Sequence, residues 1–187
     1  SGDAASQPLT MNSNQTVGAN FREMLVPEIV TEPGSATITS GGTTTLSVSA
    51  SNGSSYQWYV GQSGDTTELL KDATESELAV SPAATTAYWV RIGSIDGVTV
   101  DSATATVTVD YTLTSTAGSG GSITRSPNLT QYSAATVVTL RAAPSNGYVF
   151  TGWSGALSGD AASQPLTMDG NQTVGANFRE MLVPEIV

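Results

Sequence analysis

The chain contains no cysteine and no histidine. Without cysteine it has no disulfides, no thiolate metal ligands and no cysteine nucleophile. Without histidine it lacks the side chain most often used as a general base and as a transition-metal ligand. Only carboxylates and hydroxyls remain for catalysis, so we expect no enzymatic activity, no cofactor and no metal.

Basic residues are scarce as well, with 6 Lys and Arg against 16 Asp and Glu and a net charge of −10. Nucleic acids and anionic membrane surfaces attract basic proteins, so the sequence argues against both as partners. No apolar run approaches the roughly 20 residues of a membrane-spanning helix, and we expect no membrane insertion. Hydrophobic residues nevertheless make up 39% of the chain, which is enough to bury cores.

The two ends of the chain carry nearly the same sequence. Ser158–Val187 repeats Ser1–Val30 at an offset of 157 residues, and only two of the thirty positions differ. Both differences lie in a predicted turn, where such residues interchange easily: Asn12 against Asp169, and Ser13 against Gly170. A fixed period marks a repeat array, and a period this long must contain whole domains. We interpret the chain as one full period plus an overlap, cut from a longer tandem protein.

Residues 1–25 are predicted to be the C-terminal strands of a preceding module. Apolar and polar residues alternate over Gln7–Met11 and Gln15–Phe21 on either side of a polar turn, which is typical of a β-hairpin. An isolated hairpin is marginal in water, so we expect residues 1–22 to be ordered only where a neighbouring repeat or chain supplies the missing strands. The apolar face of the hairpin would consist of Leu9, Val17 and Phe21.

Residues 26–110 are divided by Gly, Asn and Asp turns into short alternating runs, as in an all-β sandwich. The predicted strands are Ile29–Thr31, Ala36–Thr39, Thr43–Ser51, Ser55–Val60, Glu68–Lys71, Glu77–Val80, Ala87–Ile92 and Val98–Val109. Alternate side chains of a strand share a face. Three sets should therefore point into the core: Leu46, Val48 and Ala50; Tyr56, Trp58 and Val60; and Tyr88, Val90 and Ile92.

Within this block, YQWYVGQSGDTTELL and TAYWVRIGSIDGVTVDSATATVTV resemble the bacterial immunoglobulin-like (Ig-like) domains of very large, repetitive surface and secreted proteins. The resemblance implies that Trp58 is the core tryptophan of the third strand and that Tyr88 corresponds to the tyrosine corner. It also implies that Val48 and Val90 stand where antibody-type domains carry their two half-cystines. In this chain such a core must be held by packing alone.

Residues 111–180 alternate too, in short strands separated by glycine-rich turns. The phrases GYVFTGWSG and NQTVGANF resemble the divergent form of the internalin B-repeat, a small β-rich module of bacterial surface proteins. Residues 181–187 then correspond to the start of the next Ig-like domain, so that the array alternates the two domain types. The predicted core of the B-repeat-like block consists of Leu140, Tyr148, Phe150, Trp153, Leu166, Val174 and Phe178.

Four carboxylates cluster on one edge of the Ig-like block: Glu68, Asp72, Glu75 and Glu77. Paired carboxylates can perform acid–base catalysis, but only in a walled cleft that separates their pKa values. These four fall in solvated, strand-connecting sequence. We interpret them as charges that keep edge strands from pairing with other sheets.

The acidic turns raise calcium binding as an alternative. Gly64-Asp65, Asp96-Gly97 and Asp169-Gly170 each supply one acid, whereas a calcium ion needs six to eight oxygen ligands. None of the three has the D-x-D-x-D spacing of a calcium-binding loop. Ordinary turn chemistry is therefore the preferred interpretation.

Strand alternation also defines one candidate contact surface. If Trp58 and Tyr88 point inward, then Tyr59, Trp89 and Arg91 point outward on neighbouring strands and form a flat aromatic and cationic patch. The preferred interpretation is cross-strand packing, with the stem of Arg91 covering the rings. Contact with a neighbouring domain and stacking on a carbohydrate are the alternatives. On the outward placement, Trp89→Ala should cost far less stability than Trp58→Ala.

The sequence as a whole predicts a structural or spacer segment of a fibre, stalk or adhesin, located on the bacterial cell surface or secreted. Its partners would be adjacent repeats of the same protein, with lateral self-association left open. The alternative is a repeated module that binds a carbohydrate or a host receptor by avidity. That alternative requires an exposed, ordered aromatic platform in every copy.

Overall fold

The computed structural model describes residues 8, 10, 12–14, 16 and 18–182. Every regular element within these residues is a β-strand, so the predicted all-β class is confirmed. This part of the chain contains no helix that could cross a membrane.

The first block is a two-layered sandwich. Its strands are β1 (Glu28–Thr31), β2 (Ala36–Thr39), β3 (Thr44–Ser47), β4 (Ser49–Ser51), β5 (Ser55–Val60), β6 (Glu68–Leu69), β7 (Glu77–Val80), β8 (Thr86–Gly93), β9 (Thr99–Asp101) and β10 (Ala105–Tyr111). One layer follows the order β10–β8–β5–β6, with β2 parallel to β10 and β9 paired with β8. The other layer consists of the pairs β1–β4 and β3–β7. This is the strand arrangement of an Ig-like sandwich.

The core of the sandwich confirms the predicted inward faces. Leu46, Trp58, Val90 and Ile92 are fully buried, and the indole Nε1 of Trp58 donates a 2.8 Å hydrogen bond to the carbonyl oxygen of Glu75. The remaining members of the three sets either are buried or pack against the core: Val48, Ala50, Tyr56, Val60 and Tyr88. Packing between the layers therefore takes the place of a disulfide.

Two predicted strands are each divided in the structure. The run Thr43–Ser51 changes partner at Val48, because β3 pairs with β7 and β4 pairs with β1. The run Val98–Val109 is interrupted at Ser102, whose hydroxyl accepts a 3.0 Å hydrogen bond from the amide of Val90. Three residues, 102–104, here face two residues of β8, which is a β-bulge. Alternation alone does not reveal an extra residue of this kind.

The second block contains two three-stranded sheets. Its strands are β11 (Leu113–Ala117), β12 (Gly121–Ser126), β13 (Tyr132–Ser133), β14 (Val137–Pro144), β15 (Tyr148–Gly155), β16 (Ser163–Thr167) and β17 (Gln172–Glu180). One sheet has the order β11–β17–β15, with β11 parallel to β17, and the other is the antiparallel sheet β12–β14–β16. Buried residues of both sheets form its core.

Most of the core predicted for the second block is confirmed. Leu140, Trp153, Leu166 and Val174 are buried, and Phe150 and Phe178 pack against them. Tyr148 is only partly buried and is not part of this cluster. The prediction also omitted eight buried residues: Tyr111, Leu113, Tyr132, Val138, Ala142, Leu157, Met168 and Ala176.

Two adjacent glycines allow the aromatic residues to approach the turn before β12. A Cβ atom at Gly120 would overlap the ring of Tyr148, and one at Gly121 would overlap the ring of Phe178. Gly120 also has a φ of +94°, a backbone conformation that side chains other than glycine rarely adopt. The Gly-Gly pair thus allows the start of β12 to lie close to Tyr148 of β15 and Phe178 of β17.

Strand β10 connects the two blocks. It pairs with β8 and β2 in the sandwich, and at its end Asp110 and Tyr111 pair with Ser133 and Tyr132 of β13. Tyr132 is buried, and its hydroxyl donates to the carbonyl oxygen of Pro127 at 3.1 Å. The predicted strand pattern had not placed any residue after 111 in the sheet of the first block.

The structure describes only part of the predicted opening hairpin. Leu9 and Val17 lie outside the described residues. Residues 18–27 contain no strand, and the side chain of Phe21 is 93% exposed. Its twin, Phe178, lies in β17 with its ring centroid 5.7 Å from that of Phe150. The dependence of the opening residues on a neighbouring repeat stays a prediction.

The two core tryptophans should each support their own block. We expect Trp58→Ala and Trp153→Ala to cost about 3–5 kcal/mol each, as large buried aromatic residues do. Trp58→Ala should lower amide protection first in β5 and β8, and Trp153→Ala first in β15 and β17, as measured by hydrogen exchange.

The matched control is Val137→Ala, because Val137 is an exposed hydrophobic residue. This change should stay within about 0.5 kcal/mol. Equal loss of protection in both blocks from either tryptophan variant would contradict the assignment of separate cores.

Candidate functional site

The three residues of the candidate surface lie side by side, as alternation predicted. Tyr59 of β5 is paired directly with Trp89 of β8, and Gln57 is paired with Arg91. The rings of Tyr59 and Trp89 are stacked, with centroids 4.5 Å apart and planes inclined by 12°. We refer to Tyr59, Trp89 and Arg91 together as the outer stack.

Arg91 closes one side of the outer stack. Its guanidinium carbon lies 5.3 Å from the centroid of the Trp89 ring, within the range of a cation–π contact. The same guanidinium binds both carboxylate oxygens of Asp101 on β9, with the Nε–Oδ1 distance at 2.7 Å and the Nη2–Oδ2 distance at 2.8 Å. Arg91 is thus held in place by its neighbours within the sheet.

The outward exposure predicted for Trp89 is wrong, because a loop covers this face of the sheet. Trp89 is 0% exposed, and Tyr59 is buried as well. The indole Nε1 of Trp89 donates a 3.0 Å hydrogen bond to the carbonyl oxygen of Asp65 in the loop between β5 and β6. The strand register was correct. The error lay in treating the face opposite the core as solvent-exposed.

Hydrogen bonds to the sheet hold this loop, residues 61–67, in place. The amide of Gly61 donates to the carbonyl oxygen of Ala87 at 2.9 Å. The amide of Ser63 donates to Oγ1 of Thr104, also at 2.9 Å. Gly61 and Gly64 adopt φ values of +117° and +89°, which let the chain turn back across the rings.

The end of the loop is an aspartate turn. The Asp65 carboxylate accepts hydrogen bonds from the amide of Thr67 at 3.0 Å and from its hydroxyl at 2.7 Å. These two bonds hold the pKa of Asp65 below its ordinary value. The sequence signal for the cover was therefore present in the glycines and in the Asp-x-Thr spacing, which the strand pattern alone did not use.

The outer stack can stabilise the sheet but offers no open ring face to a ligand. One face of Trp89 is against Tyr59, Arg91 lies over the ring, and the loop takes its N–H group. This arrangement corresponds to the preferred interpretation of cross-strand packing. Stacking on a sugar would require the loop to leave.

The three acidic turns each have a protein partner. Asp65 binds Thr67, Asp169 accepts a 2.6 Å hydrogen bond from Nε2 of Gln172, and Asp96 binds Arg22. Over the described residues there is no group of three or more acids arranged to hold a metal ion. The partners of Asp65 and Asp169 are local and fit the turn-chemistry interpretation, whereas Asp96 binds a residue distant in the sequence.

The four clustered carboxylates, Glu68, Asp72, Glu75 and Glu77, are all exposed. Glu75 and Glu77 border a shallow groove of about 450 Å³ beside Thr45. Glu68 lies in the short strand β6 at the end of the larger sheet. Their placement at strand edges in solvent fits charges that oppose edge-to-edge pairing, and provides no walled cleft.

Asp96 forms a clamp that the sequence did not reveal. Its carboxylate accepts hydrogen bonds from both terminal nitrogens of Arg22, with Nη1–Oδ2 at 2.8 Å, and from the amide of Leu25, also at 2.8 Å. The side chain of Asp96 is only 13% exposed, whereas that of Arg22 is 65% exposed. The hydrogen bonds from Arg22 and Leu25 lower the pKa of Asp96 to about 2. We refer to these three residues as the Asp96 clamp.

Comparison with known families finds a match to the second block. Residues 111–181 match the family described as the divergent InlB B-repeat domain. These residues are similar to that family, and we refer to them below as the B-repeat domain. The match begins at Tyr111, the residue at which β10 ends, and runs one residue beyond β17.

Solved structures give only a distant likeness. The chain is similar to the titin domains Z1Z2, crystallised in complex with telethonin, with 14% identity, a TM-score of 0.37, and coverage of 87% of this chain and 98% of that one. It is also similar to the I9–I11 tandem of titin, with 10% identity, a TM-score of 0.36, and coverage of 81% and 65%. No curated protein matches the sequence.

The B-repeat domain contains the twin of the clamp arginine. Arg179 lies in β17 at the position equivalent to Arg22, one period later, and is paired with Val149 in the sheet. Its side chain is exposed. The chain thus presents the same arginine in two settings, one in the Asp96 clamp and one on the surface of the B-repeat domain.

The buried outer stack changes the expectation for Trp89. We expect Trp89→Ala to lower the free energy of unfolding by about 3 kcal/mol or more, comparable with Trp58→Ala. The change removes a fully buried ring and the hydrogen bond from its indole to the loop. Urea denaturation of the two variants measures the difference. Val30→Ala, at an exposed position of β1, serves as the control. A loss below about 1 kcal/mol for Trp89→Ala would show that the loop does not cover the ring in solution.

The Asp96 clamp should respond to acid. The pKa of Asp96 is lowered from 3.8 to about 2, so the clamp is fully formed above about pH 4 and is lost as the pH falls through 2. Carbon-detected NMR titration of the carboxyl groups measures this midpoint. Arg22→Gln should move it towards 3.8, and the matched variant Arg179→Gln should leave it unchanged. An ordinary midpoint in the unaltered protein would contradict the clamp.

Proposed function

We propose that the chain is a structural spacer segment of a repetitive bacterial fibre, stalk or adhesin, which extends another part of the protein away from the cell. The role is mechanical. Each domain folds around its own core, and successive domains are joined with little free linker. Catalysis and cofactor binding have no part in this proposal.

The observation that carries the proposal is the joint at β10. Only one residue separates the end of β10 from the start of β11, so the Ig-like sandwich and the B-repeat domain are linked without a flexible segment. The pairing of β10 with β13 adds hydrogen bonds across this joint, as does the 2.9 Å bond from the Ser133 hydroxyl to Asp110. A spacer needs joints of this kind, because a chain of freely jointed domains does not hold its ends apart.

The 157-residue sequence repeat extends the argument from one joint to an array. Its two copies are nearly identical over the overlap, which contains the junction from a B-repeat domain to the next Ig-like domain, so that junction would recur in successive periods. The net charge of −10 also favours separation of neighbouring shafts, because like charges repel at short range. Adjacent repeats of the same protein are therefore the proposed partners.

The alternative, a repeated carbohydrate- or receptor-binding module, receives less support. It requires an exposed aromatic platform, and the rings of the outer stack are covered by the loop at residues 61–67. We therefore favour the spacer. B-repeat domains are typical of extracellular and surface proteins, which supports placing the fibre outside the cell.

A protein of two periods tests the spacer directly. It consists of the full chain followed once more by residues 31–187, which continues the repeat without a break. We expect an elongated particle that lengthens by about 60–80 Å per period, from the size of compact domains of about 80 residues. Small-angle X-ray scattering of the one-period and two-period proteins measures the increase. A two-period particle no longer than the one-period particle would rule out the spacer function.

A further inference from the structure

The segment that precedes the sandwich is held against one end of it. Asp96 binds Arg22 and the amide of Leu25, and Nδ2 of Asn52 donates a 3.1 Å hydrogen bond to the carbonyl oxygen of Val26. The turns that contain Asn52 and Asp96 are neighbours, because the amide of Ser54 donates to the carbonyl oxygen of Gly93 at 2.8 Å. Two adjacent turns therefore hold residues 22–26.

The twin of this segment lies at the end of the B-repeat domain. Arg179 is paired with Val149 in the sheet, and the amide of Met181 donates to the carbonyl oxygen of Gly147 at 2.8 Å. Leu182, the twin of Leu25, is the first residue beyond that hydrogen bond. The two donors of the Asp96 clamp thus correspond to one residue inside the B-repeat sheet and one residue just outside it.

We infer that Asp96 of each Ig-like domain binds the last strand of the preceding B-repeat domain, through the arginine equivalent to Arg179 and the amide equivalent to Leu182. The inference rests on the proposed tandem arrangement. Its partner surface is the end of another copy of this repeat. A single carboxylate would then span the sheet end and the connecting residues, and would fix the angle between successive periods.

The conformation of the clamped segment is compatible with this placement. Residues 18–27 run without a turn or bend into β1, so the Asp96 clamp does not require a backbone that a strand end could not adopt. Arg179 is exposed on β17, and its side chain is accessible to a following domain. Arginine also suits the role, because its planar guanidinium binds both oxygens of a carboxylate.

Exposed apolar side chains on both sides of the proposed contact also support it. Leu25, within the clamp, is 40% exposed, whereas its twin Leu182 is 91% exposed. Ile95, next to Asp96 at the tip of its turn, is 74% exposed. A B-repeat end placed against this turn would cover Ile95 and the leucine together, around the ion pair.

The two-period protein tests the inference. Because the chain has no cysteine, spin labels can be attached at single introduced cysteines, Thr124→Cys in the first period and Thr45→Cys in the second. Both positions are exposed. Pulsed electron–electron double resonance then gives the distribution of distances between the two labels across the joint between the periods. We expect one narrow distribution in the unaltered protein.

Removal of either partner at this joint should broaden the distribution at least about twofold, because the paired hydrogen bonds between arginine and carboxylate that fix the angle would be lost. The variants are Arg179→Gln in the first period and Asp96→Asn in the second, and the double variant should be no broader than either. Exchange of the charges, Arg179→Asp with Asp96→Arg, should restore a narrow distribution. The matched controls are Arg22→Gln and Asp96→Asn in the first period, which remove the same pair away from this joint and should change nothing.

The outcomes separate the inference from the spacer function. A narrow distance distribution that neither variant broadens would overturn the Asp96 contact and leave the extended spacer intact. A broad distribution in the unaltered protein, together with an extended particle, would have the same meaning. A compact two-period particle would instead overturn the spacer itself. Equal broadening by the first-period controls would also count against a contact between periods.

Discussion

Strand β10 is hydrogen-bonded to β8 and β2 in the sandwich and to β13 in the B-repeat domain. The rest of the architecture depends on this shared pairing. One residue lies between the end of β10 and the start of β11, and the pairing with β13 places the buried Tyr132 at the boundary between the domains. Buried side chains of both domains meet at this boundary, so movement of one domain against the other would have to break both ladder hydrogen bonds and packing.

The sequence was sufficient for the strands and their inner faces because both follow from alternation. Trp58, Val90 and Leu46 are buried as predicted, and so is most of the predicted B-repeat core. Each of these assignments depends on residues close together along the chain, where the period of two determines which side chains share a face. The repeat itself was visible for a simpler reason, since its two copies can be compared directly.

The features that the sequence did not reveal all involve contacts between distant residues. Trp89 is covered by a loop whose path depends on hydrogen bonds to Ala87 and Thr104. The bulge at Ser102 depends on a hydroxyl that replaces a carbonyl in the ladder, and the Asp96 clamp joins residues more than 70 positions apart. An exposed aspartate in a turn has the same local sequence whether or not an arginine binds it. Periodicity therefore gives the faces of a sheet but not what lies over them.

The parallel pairings determine how a pull along the chain would act. In the sandwich β2 is parallel to β10, and in the B-repeat domain the first strand, β11, is parallel to the last, β17, over five residue pairs. In the sandwich, tension from the N-terminal side reaches β2 only through β1, which is antiparallel to β4. In the B-repeat domain, tension on the two ends is directed along β11 and β17 in opposite senses. The hydrogen bonds between them are loaded together in shear, whereas an antiparallel terminal pair would open one bond at a time. The B-repeat domain thus resists extension with its whole terminal ladder at once.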